Sequence, residues 1–113
     1  MSLALYYDKK DFFGSEEIPR SGTTLATEAV FLTELIPLFD NLNLKLLIFY
    51  TQQSASISDE DISELCKECE KLLLYFSEQK SDLSDQMQIR LKLIIDILKR
   101  KIEQNDIGHI YFA

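Results

Sequence analysis

The chain has 113 residues, a formal net charge of −7 at pH 7, two cysteines and only three glycines. This length suits one domain with a single modest core, and a hydrophobic content of 46% argues against general disorder. An acidic surface repels phosphate groups, so a basic protein is a better partner than nucleic acid or an anionic membrane. Net charge also serves solubility alone, and it does not bear on the fold.

The sequence has no secretion or membrane-spanning pattern. The opening MSLALYYDKK lacks a basic segment followed by an uninterrupted apolar run. Every apolar stretch is shorter than the length that crosses a bilayer, or carries charges. Two cysteines are too few for a disulfide framework, which fits a reducing compartment. These features predict a cytoplasmic protein with no membrane partner.

Residues 1–22 are predicted to form an irregular N-terminal arm. Within it, Ser2–Tyr7 is short, apolar and aromatic. Such a segment favours either a strand or an extended arm that lies on the core. The residues that follow contain two glycines and a proline, which are typical of loops.

The first helix is predicted to begin near Thr23 or Thr24, because either hydroxyl can cap its N-terminus. Apolar residues then recur at steps of three and four as far as Phe39, as on one face of a helix. Pro37 interrupts this helix, since an internal proline removes one hydrogen bond and clashes with the preceding turn, at a cost of about 3 kcal/mol. We therefore expect a kink or break near Leu35–Ile36.

The next segment, Leu44–Tyr50, is apolar on nearly all sides. Its composition suits a buried strand as well as a buried helix, and periodicity does not separate the two. The turn-forming residues Asp40–Asn43 precede it, and Ser54–Ser56 close it. Because the segments on both sides have helical periodicity, we predict a helix.

A long amphipathic helix is predicted over Ile57–Phe76. Ser58 is a candidate N-cap, and Asp61 lies three residues later, where an acid can complete a capping box. The apolar side chains of this segment share one face, and most of its acids lie opposite.

A further helix is predicted from about Ser84 to Gln104, with Ser81 and Ser84 as candidate caps. Its apolar face is unusually wide, so either it lies at the centre of a bundle or the face Ile89–Ile102 packs on another molecule. The basic run Lys99–Lys101 suits the C-terminal end of a helix dipole, and a salt bridge to an acidic neighbour is the alternative. A second apolar line beside the main one contains Ile89, Leu93 and Ile97.

Residues 105–113 are predicted to form a C-terminal tail. Its last five residues, HIYFA, share the apolar and aromatic character of the opening segment, so the termini are candidates to pair as a short ribbon. The predicted fold is an all-α bundle of about four helices with short extended apolar termini. We expect residues 1–113 to form a single domain.

No catalytic, metal-binding or cofactor-binding motif is present. Cys66 and Cys69 have CxxC spacing, but they lie inside a helix on its apolar face, which favours core packing over redox or zinc chemistry. His109 is a lone histidine to which no nucleophile can be assigned. The phosphate-binding pattern GxxxxGK[ST] is absent. We therefore predict no enzymatic activity, no metal and no cofactor.

The first turns of the Ile57–Phe76 helix hold a run of carboxylates. A solvated helix face, a docking surface for a basic protein, and a calcium or magnesium site are all interpretations of such a run. The acids follow no EF-hand spacing and the loop glycine is missing, which disfavours the metal. The predicted partner-binding residues are Glu60, Asp61, Glu64, Glu68 and Glu70.

In overall character the chain resembles bacterial immunity proteins, which neutralise toxins of contact-dependent growth inhibition or similar competition systems. The segments that carry the resemblance are MSLALYYDKKDFF, SDEDISELCKECE and MQIRLKLIIDILKRKIE. It implies a non-enzymatic protein that binds the C-terminal domain of a toxin, often a nuclease, and blocks or distorts its active site. A helical adaptor or a homodimer held by the Ile89–Ile102 face is the alternative.

Overall fold

The structure is a computed structural model that describes residues 2–9, 21–53, 55–104 and 107–113. Helices predominate, as predicted, but three strands form an antiparallel sheet in the order β2-β1-β3, which an all-α bundle does not contain. In chain order the elements are β1 (Ser2–Lys9), β2 (Ser21–Thr27), α1 (Glu28–Val30), a π-helical segment (Phe31–Leu35), α2 (Ile36–Asn41), α3 (Lys45–Gln52), α4 (Asp59–Ser77), α5 (Asp82–Glu103) and β3 (Ile107–Phe112).

The central strand of the sheet, β1, lies in the segment predicted to be an irregular arm. Leu5 of β1 is opposite Thr23 of β2 on one side and Phe112 of β3 on the other. Leu5 and Phe112 are buried, and the rings of Tyr6 and Tyr111 stack with centroids 5.8 Å apart. The two terminal segments, which the sequence offered only as candidates to pair, therefore do pair, and β2 is an additional strand. Residues 10–20 of the predicted arm lie outside the described part of the chain.

The first helix begins later than predicted. Thr23 and Thr24 lie in β2, and α1 begins at Glu28. Thr27 is its N-cap, and the Oγ1 of Thr27 accepts a hydrogen bond from the N–H of Val30 at 3.3 Å. The prediction was wrong because pairing with β1 outweighs the local preference of two threonines, which suit a strand as well as a cap.

A β-bulge in β2 ties the sheet to α5. Leu3 pairs with Ala26 and Ala4 pairs with Thr24, so Leu25 is the extra residue of the bulge. The guanidinium of Arg90 in α5 donates to the carbonyl oxygen of Leu25 at 3.2 Å. A cation from the helix thus supplies the hydrogen bond for a carbonyl in the irregular part of the ladder.

The irregularity predicted near Leu35–Ile36 takes the form of a π-helical turn. The N–H of Ile36 bonds to the carbonyl of Phe31, five residues earlier. Pro37 then lies in the first turn of α2, where its missing N–H has the least effect. The wider turn before the proline lets the chain remain helical from Glu28 to Asn41.

The three remaining helices agree with the sequence prediction to within two residues at their first positions. α3 is a helix, which settles the ambiguity of Leu44–Tyr50. α5 begins at Asp82, with Ser81 as its cap: the Oγ of Ser81 accepts from the N–H of Ser84 at 3.1 Å. Ser84 is instead buried, and its hydroxyl donates to the carbonyl of Phe76 in α4.

The core lies between the antiparallel α4–α5 pair, the shorter helices and one face of the sheet. A four-residue connection, Glu78–Ser81, joins α4 to α5, so the two helices are neighbours along the chain and in space. Within the described residues, no helix has both the length and the apolarity needed to cross a membrane. The largest fully buried side chains include Leu5, Leu25, Leu35, Phe39, Leu47, Leu65, Leu72, Met87, Leu91 and Phe112.

Arg90→Met is expected to lower the free energy of unfolding by about 1–2 kcal/mol, because the Leu25 carbonyl loses a charged donor. Urea denaturation followed by circular dichroism measures the change. Lys80→Met is the control, since Lys80 is an exposed cation in the α4–α5 connection and its loss should cost less than about 0.5 kcal/mol. Equal effects of the two substitutions would contradict a role for Arg90 at the bulge.

Candidate protein-binding surface

The five acids predicted to bind a partner lie on two different sides of α4. Asp61 and Glu68 face α3, and their carboxylates contact residues of that helix. Glu60 and Glu64 are exposed and lie one turn apart on the adjoining surface. Glu70 lines a groove between α4 and α5. Some of the predicted partner-binding acids therefore make contacts within the fold, and others are exposed at the surface.

Glu68 caps the N-terminus of α3 from across the helix pair. Leu44 occupies the N-cap position of α3 and offers no side-chain cap. The two carboxylate oxygens of Glu68 accept from the N–H of Leu46 at 3.2 Å and from the N–H of Leu47 at 3.1 Å. A carboxylate at this position satisfies two free donors and interacts favourably with the helix dipole.

The capping role of Glu68 perturbs its ionisation. Burial raises the pKa of the Glu68 carboxyl above its usual value, and the two backbone hydrogen bonds from Leu46 and Leu47 oppose that rise. Glu68 therefore holds the start of α3 against α4.

Asp61 is held by a small hydrogen-bonded cluster at the start of α4. The hydroxyl of Tyr50 donates to Oδ2 of Asp61 at 2.5 Å, and the hydroxyl of Ser58 donates to the same oxygen at 3.1 Å. Ser58 is the N-cap residue, as predicted, but its hydroxyl caps no backbone N–H of α4. It serves as a donor to Asp61, so the predicted capping box is replaced by a link to α3.

Glu60 and Glu64 are the two predicted residues whose carboxylates are exposed on the outer side of α4, and we call this pair the acidic surface. Glu60 makes no hydrogen bond or ion pair with any residue that the structure describes. Glu64 lies 3.8 Å from the ammonium of Lys67, and both side chains are well exposed, so this ion pair is weak. Both carboxylates are therefore available to a partner.

Asp59 extends the negative charge of this end of α4 but is partly balanced. Its Oδ1 lies 3.4 Å from Nζ of Lys101, near the end of α5. The same ammonium donates to the carbonyl of Gly108 at 3.0 Å. The basic run at the end of α5 thus provides the salt bridge to an acidic neighbour that the sequence suggested as an alternative.

Cys66 and Cys69 are buried free thiols in the core, where the sequence placed them. Burial, aided by a hydrogen bond to Glu70, raises the pKa of Cys66 to about 11, and burial also raises the pKa of Cys69. The thiolate is the form that attacks disulfides and binds metals, so raised pKa values disfavour both reactions at neutral pH.

His109 is exposed in β3, with Nδ1 at 3.4 Å from the hydroxyl of Ser56. Ser56 is itself exposed. No group of three potential metal ligands comes together in the described ranges.

Apart from Glu70, the charged residues in the α4–α5 groove were not among the predicted site residues. The groove is about 520 Å³ in volume, and Glu70 on α4 faces Lys92, Asp96 and Lys99 on α5 across it. The alternation of sign along α5 is visible in the sequence. The alternation indicates a charged surface only if these positions are exposed, and periodicity alone does not establish their exposure.

Comparison of the chain with models of known protein families, with characterised proteins and with solved structures gives no match.

Glu68→Ala is expected to lower the free energy of unfolding by about 2 kcal/mol, because two N–H groups at the start of α3 lose their acceptor. The matched control is Glu64→Ala, an exposed position on the same helix, for which the change should stay within about 0.5 kcal/mol. Denaturant unfolding of both variants measures the two changes in the free energy of unfolding. Equal losses would exclude Glu68 as the cap.

The pH dependence of stability should differ between the wild type and Glu68→Gln. The folded state holds the Glu68 proton more tightly than the unfolded chain does, because burial raises the pKa above 4.5. The contribution of this carboxyl to the free energy of unfolding is therefore complete below pH 4.5, and it falls as the pH rises through the pKa of Glu68 in the folded state. The free energy of unfolding of the wild type, relative to the glutamine variant, should decrease over this window. A relative increase would contradict the direction of the shift.

Proposed function

We propose that this protein is a non-enzymatic inhibitor that binds a basic toxin domain, in the manner of an immunity protein. The observation that supports the proposal best is the exposed pair Glu60 and Glu64 beside two acids that are fixed in the fold. Inhibition by binding needs a stable complementary surface and no catalytic group.

Negative charge is concentrated on α4. This helix carries six carboxylates and two lysines, whereas α5 carries four carboxylates and five basic side chains. A local excess of one sign steers an oppositely charged partner and raises the association rate. A toxin domain with a positively charged substrate cleft has the complementary surface.

The acidic surface rests on a rigid part of the molecule. Tyr50 and Ser58 fix Asp61, and Glu68 fixes the start of α3, on the side of α4 next to Glu60 and Glu64. Side chains on a fixed backbone lose less entropy on binding than side chains on a loop. The acids that are hydrogen-bonded within the fold thus support the acids offered to the partner.

The double substitution Glu60→Gln and Glu64→Gln should slow association with the toxin domain on the order of tenfold at low ionic strength. The effect should shrink as salt is added, because salt screens exposed charges. Surface plasmon resonance with the C-terminal domain of the toxin encoded beside this protein measures it. Glu34→Gln with Glu78→Gln is the matched control, since Glu78 is the exposed C-cap of α4 and Glu34 is an exposed acid in a cleft beside Tyr75 and Gln79, near that same end.

The proposal also predicts which genes lie next to the gene for this protein. We expect a gene for a large secreted toxin next to the gene for this protein, and we expect co-expression to restore growth to cells that produce the toxin's C-terminal domain. A neighbourhood of metabolic genes, or equal binding by the double variant and its control, would overturn the proposal.

A further inference from the structure

The outer side of α5 carries apolar side chains that the fold does not cover. Ile89 is 64% exposed and Leu93 is 50% exposed, and they lie four residues apart, so they are neighbours on the helix surface. Ile97, a further four residues along, is half-buried against the core. The uncovered part of the predicted Ile89–Ile102 face is therefore a short strip, because Leu91, Ile94, Ile95 and Leu98 are buried.

Ile102 does not continue this strip. It is 48% exposed, and it lines a separate cleft with Asp59 and Lys101 at the other end of the α4–α5 pair. On α4, Leu74 is 60% exposed and lines the groove next to α5. Exposed apolar side chains thus lie on the middle of α5 and on the part of α4 beside the groove.

Two charges of opposite sign flank the strip. Lys92 and Asp96 are exposed, lie one turn apart, and both line the groove beside Leu74. Neither forms a hydrogen bond or ion pair with any other residue in the described part of the chain. The strip and its two charges are locally neutral in a protein whose net charge is −7.

We propose that this surface, which consists of Ile89, Leu93, Lys92 and Asp96, binds a second copy of the chain. The two α5 helices run antiparallel across a twofold axis level with position 94, midway between Lys92 and Asp96. Such an axis places each residue before position 94 opposite the residue that lies equally far after it. Lys92 then faces Asp96 of the partner subunit, and Asp96 faces the partner subunit's Lys92.

Charge complementarity selects a second copy over the basic partner proposed above. A basic surface gains nothing from a neutral strip, whereas one lysine two positions before the axis and one aspartate two positions after it are complementary to the same pair on a second copy. The acidic surface on α4 would repel a second copy, but it lies on the other side of that helix from the groove. The two surfaces are distinct, so the dimer does not depend on the inhibitory function.

The first experiment measures the oligomeric state by sedimentation equilibrium at micromolar concentration. The wild type should be a dimer, and Leu93→Asp should weaken dimerisation by at least tenfold. The control is Leu32→Asp, because Leu32 is a leucine of similar exposure, 54%, in the π-helical segment. Circular dichroism verifies that each variant is folded. A monomeric wild type, or a dimer that Leu93→Asp leaves intact, would overturn the proposal.

The second experiment tests the register with charge reversals that keep each exposed side chain in solvent. Lys92→Glu alone and Asp96→Lys alone should each be monomeric, since like charges then face each other twice. An equimolar mixture of the two should form a heterodimer, because every facing pair is again of opposite sign. A mixture that stays monomeric while the wild type dimerises would exclude this twofold arrangement.

Discussion

The hydrogen bonds from the start of α3 to Glu68 are the interaction on which the helical half of this protein depends. α3 has eight residues, too few for a helix that is stable alone, and its sequence provides no cap. The chain enters it through Asn43, which has a positive φ of 58°. The carboxylate of Glu68 accepts hydrogen bonds from the N–H groups of Leu46 and Leu47. The ammonium of Lys71 donates to the carbonyl of Leu42 at 2.8 Å. α4 therefore holds the turn and the helix that precede it.

This arrangement divides the acids of α4 by position. Those on the side that faces α3, Asp61 and Glu68, stabilise the fold, and those one step further round, Glu60 and Glu64, remain available at the surface. The α5 helix differs because its exposed charges alternate in sign. A partner with a uniformly positive surface and a partner with a mixed surface are thus directed to different helices, and the two need not compete.

Helical periodicity predicted the long helices because their apolar faces are set by neighbouring residues. The irregularity before Pro37 was also predicted, because it depends on the proline and its neighbours in the sequence. β2 was not predicted, since Thr23 and Thr24 suit a cap as well as a strand and only pairing with β1 decides between them. The role of Glu68 was also missed, because its contact with Leu47 joins residues 21 positions apart. Sequence patterns located the acids but not their partners.

The position of β1 at the centre of the sheet has a consequence for folding. β1 is the first element of the chain, and one of its neighbours, β3, is the last. Ala4 and Ala113 exchange both backbone hydrogen bonds at 2.9 Å. During synthesis β1 keeps one edge unpaired until β3 has been made, which slows folding and exposes a site for association with other chains. Helical pairing of α4 with α5 needs no such delay, so we expect the helices to form before the sheet closes.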